Sequence, residues 1–370
     1  MTSTYPAARA LRPGAADPVP GGPVPGGPDT PDTPDTPLEY HLDAREAAEL
    51  RAVAARFADT QPAPDQPEFY DGDHAAEELL PAGLRAFLLS YRRTESTAAC
   101  LVHGFPVDDA RLGPTPGHWR EAIGGRAARA QELWLAMCGL ALGDPFGWVT
   151  LQEGRIIQNI LPIRGDERRQ SGYGSESLLE FHTEDGFHPN RCDYLLLFGL
   201  RNRDRVPTVV SSVRDVRLSD HDRTVLAEER FHILPDTEHI RQLEASAPRH
   251  PALPRLYAMT DRPVPSAVLF GDRLNPYLRI DRPFMRVGPG DTEAAAALDR
   301  LMDELRRVQR EIAVGPGSLL IVDNYRAVHG RRAFTPRYDG TDRWLKKLTV
   351  SRNLRRNLSG YALEHPRVIV

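Results

Sequence analysis

The chain has 370 residues, of which 41% are hydrophobic, with 51 acidic and 47 basic side chains and a formal net charge of -4. That length and apolar content suffice for a substantial core, and the scattered charge offers no electrostatic footprint for nucleic acid. No apolar run has the length of a membrane span, no basic start followed by an apolar stretch opens the chain, and Cys100, Cys138 and Cys192 are odd in number and widely spaced. These features predict buried free thiols in a reducing, cytoplasmic setting.

Residues 1–37 are dominated by proline and glycine and close on a repeat of Asp-Thr-Pro. Such a segment buries too little apolar surface to offset its ordering entropy, so it reads as a flexible tail, part of which could order against the body or a neighbour. Helical spacing follows over 42–58, 74–92 and 125–142. In the second stretch Leu79, Leu80, Leu84, Phe87 and Leu88 recur on one face, and Pro81 predicts a division into two helices. The third, with Leu133, Leu135, Met137, Leu140 and Leu142, reads as a buried support helix.

From Trp148 the pattern changes to short apolar or alternating runs, at 156–161, 194–200, 208–213, 267–270 and 319–322, bounded by turn residues. Many short strands with glycine-rich connections favour a double-sheet jelly roll over a parallel sheet. One helix, 293–314, interrupts them, with Asp291 or Thr292 as its N-cap and a place outside the barrel. The charged stretch 213–266 is longer than an ordinary connection and carries Asp236.

The chemistry concentrates in Phe181-His182-Thr183-Glu184-Asp185 and in Val328-His329-Gly330. On an extended strand residues two apart share a side, so His182 and Glu184 can grip one ion, with His329 closing the site from a distant strand. Two imidazoles and one carboxylate occupy one face of a six-coordinate metal and leave the opposite positions open, the arrangement of non-haem Fe(II) oxygenases. Arg343 follows His329 beyond the turn-like run Tyr338-Asp339-Gly340-Thr341-Asp342. If the stretches flanking that turn are neighbouring strands, its guanidinium lies beside the metal, matched to a carboxylate such as the distal one of 2-oxoglutarate.

The segments Leu178-Leu179-Glu180-Phe181-His182-Thr183-Glu184-Asp185-Gly186-Phe187-His188-Pro189 and Asp193-Tyr194-Leu195-Leu196-Leu197-Phe198-Gly199-Leu200-Arg201-Asn202, with Asp323 to His329 and Tyr338 to Lys346, resemble the clavaminate synthase-like family of Fe(II)/2-oxoglutarate oxygenases. The likeness is greatest to the hydroxylases of free arginine, asparagine or lysine, and spans roughly 80–355. It implies a mixed α+β fold with a double-stranded β-helix (jelly roll) core flanked by helices. One oxygenase domain is expected over 38–370, with 38–147 mainly helical support, 148–355 the core and 213–266 a lid insert.

The resemblance further implies Fe(II), with 2-oxoglutarate and O2 as co-substrates, held at His182, Glu184 and His329. Arg343, Thr208 and Lys347 would meet the co-substrate. Gln158 and Glu184 would meet the substrate's amino group, and Asp236 and Asp281 its side-chain terminus. No catalytic residue is expected beyond the metal centre. Two acids in a buried pocket favour a basic amino acid, because an unpaired buried carboxylate is costly. Arginine-specific relatives use a further aspartate just after the position of Asp281, where Arg282 and Pro283 stand here, which leans slightly to lysine.

The implied reaction converts 2-oxoglutarate to succinate and CO2 and hydroxylates C3 or C4 of the substrate. Asparagine, a carrier-tethered amino acid or a desaturation outcome are the alternatives within the family, a carrier not being favoured. A non-catalytic jelly-roll binding module is the alternative outside it, and the sequence leaves the oligomeric state open. His188, beside Pro189, reads as a structural histidine, and His103, His232 and His239 lack a partner at metal-ligand spacing.

Overall fold

The computed structural model describes residues 34–57, 62–72, 75–357, 361–362 and 365–370. Most of the segment expected to be a tail, 1–33, lies outside them. Its last residues are docked: the buried Asp35 carboxylate accepts from the Ala98 N–H and, at 2.7 Å, from the Ser212 hydroxyl.

Two sheets build the core. In the larger, Tyr194–Arg201 lies between Leu319–Asp323 and Trp344–Ser351 with antiparallel pairing to both. Ala99–His103 and then Leu38–His41 extend one side, while Ile157–Ile160 and Asp144–Trp148 share the far edge of Trp344–Ser351. The smaller sheet is antiparallel, in the order Arg310–Ile312, Thr208–Ser212, Ala327–Arg331, Leu179–His182. This is the jelly-roll core the sequence predicts, with both sheets assembled from strands distant in the chain.

The apolar run 194–200 explains the layering. Leu195 and Leu197 point inward, meeting Val210 of the smaller sheet, Val322 and Leu345. Leu196, Phe198 and Leu200 point outward onto Trp134 and its neighbours in the helix Arg129–Leu142. A strand covered on both faces has no reason to alternate, and each fully buried Leu or Phe contributes about 1.5–3 kcal/mol. At Gly199 the chain passes so close to the 315 peptide that a Cβ would stand 2.0 Å from the Gly315 oxygen.

The helices stand near their predicted places. Ala44–Arg56 opens with a capping box between Asp43 and Glu46. Pro81 separates the single-turn helix Ala76–Leu79 from Ala82–Thr94. Two expectations are refined by the structure. The stretch 38–147 is not only helical support, since Leu38–His41, Ala99–His103 and Asp144–Trp148 enter the larger sheet. The helix expected to reach 314 is Thr292–Val308, capped by Asp291; Gln309 turns to φ -58°, ψ 145°, and Arg310–Ile312 becomes an edge strand on Thr208–Ser212.

The long charged stretch is structured throughout, with helices Asp220–Leu226, Thr237–Ser246 and Leu253–Asp261 and the strand Phe231–Ile233. Phe231, Leu243, Leu256 and Val268 pack with Leu298, Leu301 and Leu305 into a second core on the outer side of the smaller sheet. Cys100, Cys138 and Cys192 are buried free thiols. Among the described residues no helix is long and apolar enough to cross a membrane.

Candidate active site

His329 lies mid-strand in Ala327–Arg331 and His182 ends Leu179–His182, and the two are direct partners across the ladder. Their rings stand 4.2 Å apart between centroids. Glu184 lies beyond the strand end, so alternation along a strand does not place it, contrary to the sequence expectation. Asn324 does: its Oδ1 accepts the Glu184 N–H at 2.6 Å, and its Nδ2 donates to the Glu184 and Cys192 carbonyls at 3.0 Å. Asp185 then turns into the left-handed region, with φ 51°.

Glu184 Oε2 is 3.3 Å from His329 Nε2 and 3.9 Å from His182 Nε2, and the three ligand atoms all lie within 4.8 Å of one another. Adjacent corners of an octahedron with bonds of about 2.1 Å are about 3 Å apart, so small rotations bring all three onto one metal face. His182 Nδ1 donates to the Glu180 carbonyl at 2.9 Å, which leaves Nε2 as the free lone pair. Burial, then the neighbouring His329, pull the His182 pKa down to about 4, so that ring is neutral near pH 7, as a ligand must be. The donor set fits a non-haem Fe(II) ion.

The other Glu184 oxygen accepts from Lys347 Nζ at 2.6 Å. Burial opposes the Glu184 charge, yet Lys347, His329 and His182 together hold its pKa well below the usual carboxylate range. Burial likewise opposes the Lys347 charge, and Glu184 and Asp185 more than offset it. In this structure the Lys347 ammonium therefore serves the ligand carboxylate rather than standing free for a co-substrate.

Among the residues lining the cleft with these ligand side chains, two buried guanidiniums stand without an acidic partner among the described residues. Arg343 Nη2 donates to Thr208 Oγ1 at 3.2 Å, and its Nε has no partner. Arg331 spends its terminal nitrogens on the carbonyls of Ser175 and Arg332 and, at 3.3 Å, Ser177, and its Nε is also unpartnered. Burial, then Arg331, lower the Arg343 pKa to about 9, and burial lowers that of Arg331 to about 10. Two desolvated cations with free donors call for an anion. Contrary to the neighbouring-strand arrangement considered from the sequence, the stretches flanking the 338–342 turn are not paired; Ala327–Arg331 and Trp344–Ser351 belong to different sheets, and the turn carries Arg343 from one to the other.

Asp236 and Asp281 also line the cleft with Glu184. Asp236 caps Thr237–Ser246 by accepting the Glu238 N–H at 2.8 Å. Burial raises its pKa to about 6, and burial with the charges of Asp236, Glu184 and Asp185 raises that of Asp281 well above the usual range. Gln158 is the cross-strand partner of Lys347, buried, with its Oε1 unpartnered.

Three features escaped the sequence reading. Arg331 reads as one basic residue among several until it is seen buried. Asn324 has no motif of its own. The third is a buried chain in which Asp185 accepts from Trp148 Nε1 at 2.5 Å and pairs with His239 Nε2 at 3.0 Å, while His239 Nδ1 meets Thr150 Oγ1 at 2.6 Å. It ties the helix that Asp236 caps to the residue after Glu184. His188 is structural as expected: buried beside Trp148, its Nδ1 accepts the Asn190 N–H at 3.1 Å.

The family described as taurine catabolism dioxygenase TauD, TfdA matches residues 154–349. The chain is 38% identical over 340 residues to an enduracididine beta-hydroxylase of Streptomyces hygroscopicus, covering 90% of this chain and 99% of that protein. It is 39% identical over 323 residues to an L-ornithine/L-arginine 3-hydroxylase of Catenulispora acidiphila, covering 85% and 94%. An L-lysine 3-hydroxylase of the latter organism is 27% identical over 250 residues, covering 67% and 65%. Among solved structures, the non-haem iron oxygenase OrfP in complex with Fe, succinate and (3S)-hydroxy-L-Arg superposes with a TM-score of 0.83 at 38% identity, over 90% of this chain and all of that one.

Proposed function

The chain belongs to the TauD/TfdA family of dioxygenases, and on that premise we propose that it hydroxylates C3 of a free basic L-amino acid with a guanidino or similar side chain, L-arginine being the first candidate. It is a non-haem iron oxygenase that uses 2-oxoglutarate. The observation that carries the substrate reading is the charge layout of one cleft, with unpaired carboxylates at Asp236 and Asp281 and unpaired guanidiniums at Arg343 and Arg331 on its lining.

In this reading His182, Glu184 and His329 hold Fe(II), which supplies the O2 chemistry that turns 2-oxoglutarate to succinate and CO2 and hydroxylates the substrate. Arg343, with Thr208 beside it, anchors the distal carboxylate of 2-oxoglutarate, and the free Nε of Arg331 adds to the positive field there. Lys347 occupies one oxygen of Glu184 and leaves the other for the metal. Gln158 and Glu184 receive the substrate's amino group. Asp236 and Asp281 take its cationic end, and the segment 213–266 acts as the lid that brings Asp236 inward and excludes water.

The relatives turn the slight lysine preference around. Those at 38% and 39% identity bear the names of enduracididine and ornithine/arginine hydroxylases, and the lysine hydroxylase stands at 27%. A forked guanidinium also suits two separate carboxylates better than a compact ammonium. Without the further aspartate, Asp236 and Asp281 carry the recognition together. A cytoplasmic setting suits the three free thiols and the supply of free amino acids.

The test offers the protein Fe(II), 2-oxoglutarate, O2 and each common amino acid separately, following succinate and substrate mass together. One added oxygen on L-arginine, matched by succinate and absent from His182→Ala, is the expected result. Hydroxylated lysine instead would restore the first preference. Succinate without any modified free amino acid would point to a tethered substrate, and loss of two hydrogens to desaturation.

A further inference from the structure

A second group of metal-ligating side chains lies on the edge of the larger sheet, in strands that contribute nothing to the cleft. Leu38–His41 pairs in parallel with Ala99–His103, with His41 opposite His103. Residues two apart on a strand share a face, so Glu39 and His41 project together, and His103 projects beside His41. The two imidazoles stack with centroids 4.7 Å apart and planes 20° apart. Glu39 Oε2 lies 3.3 Å from His41 Nε2 and 3.9 Å from His103 Nε2. These separations equal those that Glu184 makes with His329 and His182. The three ligand atoms all fall within 4.8 Å of one another.

We propose that Glu39, His41 and His103 form a second metal site, for a borderline divalent cation of the Zn2+ class, that staples the edge strand Leu38–His41 to the sheet. Two nitrogen donors and one carboxylate select such a cation over Mg2+ or Ca2+, which take oxygen shells, and water completes a tetrahedral set. The half-buried His103 is already oriented: its Nδ1 lies 3.1 Å from Ser318 Oγ, just ahead of Leu319–Asp323, so its Nε2 faces the other donors. An outer partner on the second ring nitrogen is the feature that orients histidine ligands in metal sites. The edge strand has only four residues and one neighbour, so a metal bridging it to Ala99–His103 adds a cross-link where backbone pairing is thinnest. The iron centre at His182, Glu184 and His329 is a separate site, which the experiment must silence.

The experiment is zinc titration by calorimetry of the full chain carrying His182→Ala and His329→Ala, a readout independent of turnover. About one zinc should bind per chain; adding Ser318→Ala should weaken it by about tenfold, and adding His41→Ala should abolish it. His41→Ala in the otherwise native enzyme should leave turnover unchanged, because the site does not touch the cleft. No zinc bound to the triad-silenced protein, or the same zinc bound with His41→Ala in place, would overturn the proposal.

Discussion

Asp236→Asn separates the energetics of the empty cleft from those of recognition. Burial lifts the Asp236 carboxyl from 3.8 to about 6. At about 1.4 kcal/mol per pH unit this is about 3 kcal/mol, and about 2 kcal/mol once the partial exposure of the side chain to cleft water is allowed for. The folded-state pKa is raised above the unfolded one, so the penalty is absent below pH 3.8, grows as the pH rises towards about 6, and is complete above it. Asparagine removes the charge but keeps an oxygen for the Glu238 N–H, so the helix cap survives. Removing the neighbouring charge also eases the ionisation of Asp281.

The variant should therefore be more stable than the native protein at pH 8 by about 2 kcal/mol, about 2–3 °C in Tm for a chain of this length, with the gain shrinking towards pH 4. Binding should move the other way. Loss of a charge-assisted hydrogen bond, at about 1.5–3 kcal/mol, should raise KM for L-arginine by about 10- to 100-fold. Thermal scans at several pH values and KM at pH 8 measure both. A variant less stable at pH 8, or an unchanged KM, would refute the view of Asp236 as an unpaired acid awaiting a cation.

Arg343→Lys keeps the charge but loses the fork and the contact to Thr208 Oγ1, so KM for 2-oxoglutarate should rise by about 100-fold with the substrate KM little changed; an unchanged 2-oxoglutarate KM would remove Arg343 from its role. Asn324→Ala strands the buried Glu184 N–H and two carbonyls, so stability should fall by about 3 kcal/mol and Fe(II) affinity with it, read by thermal unfolding and iron titration. Gly330→Ala would set a Cβ 2.5 Å from the Leu179 oxygen beside His329, costing about 1–3 kcal/mol by displacing the ladder that aligns the two histidines, which iron titration and Tm would both report.

The sequence alone determined what depends on neighbours along the chain. The period of Leu84 and Leu88, the break at Pro81 and the cap at Asp291 follow from local backbone geometry and were legible. So were the residue types of the candidate metal face, His182, Glu184 and His329, whose ligand atoms the fold brings together. Where contacts join residues far apart in the chain, local pattern was silent or misleading. Glu184 is set by Asn324, 140 residues away, and not by strand alternation. Arg343 reaches the cleft across two sheets instead of along one. The charge state of Asp236, the orphan donors of Arg331 and the meeting of Glu39, His41 and His103 arise from burial and through-space neighbours. Desolvation and donor convergence belong to the assembled fold, so only the tertiary structure could decide them.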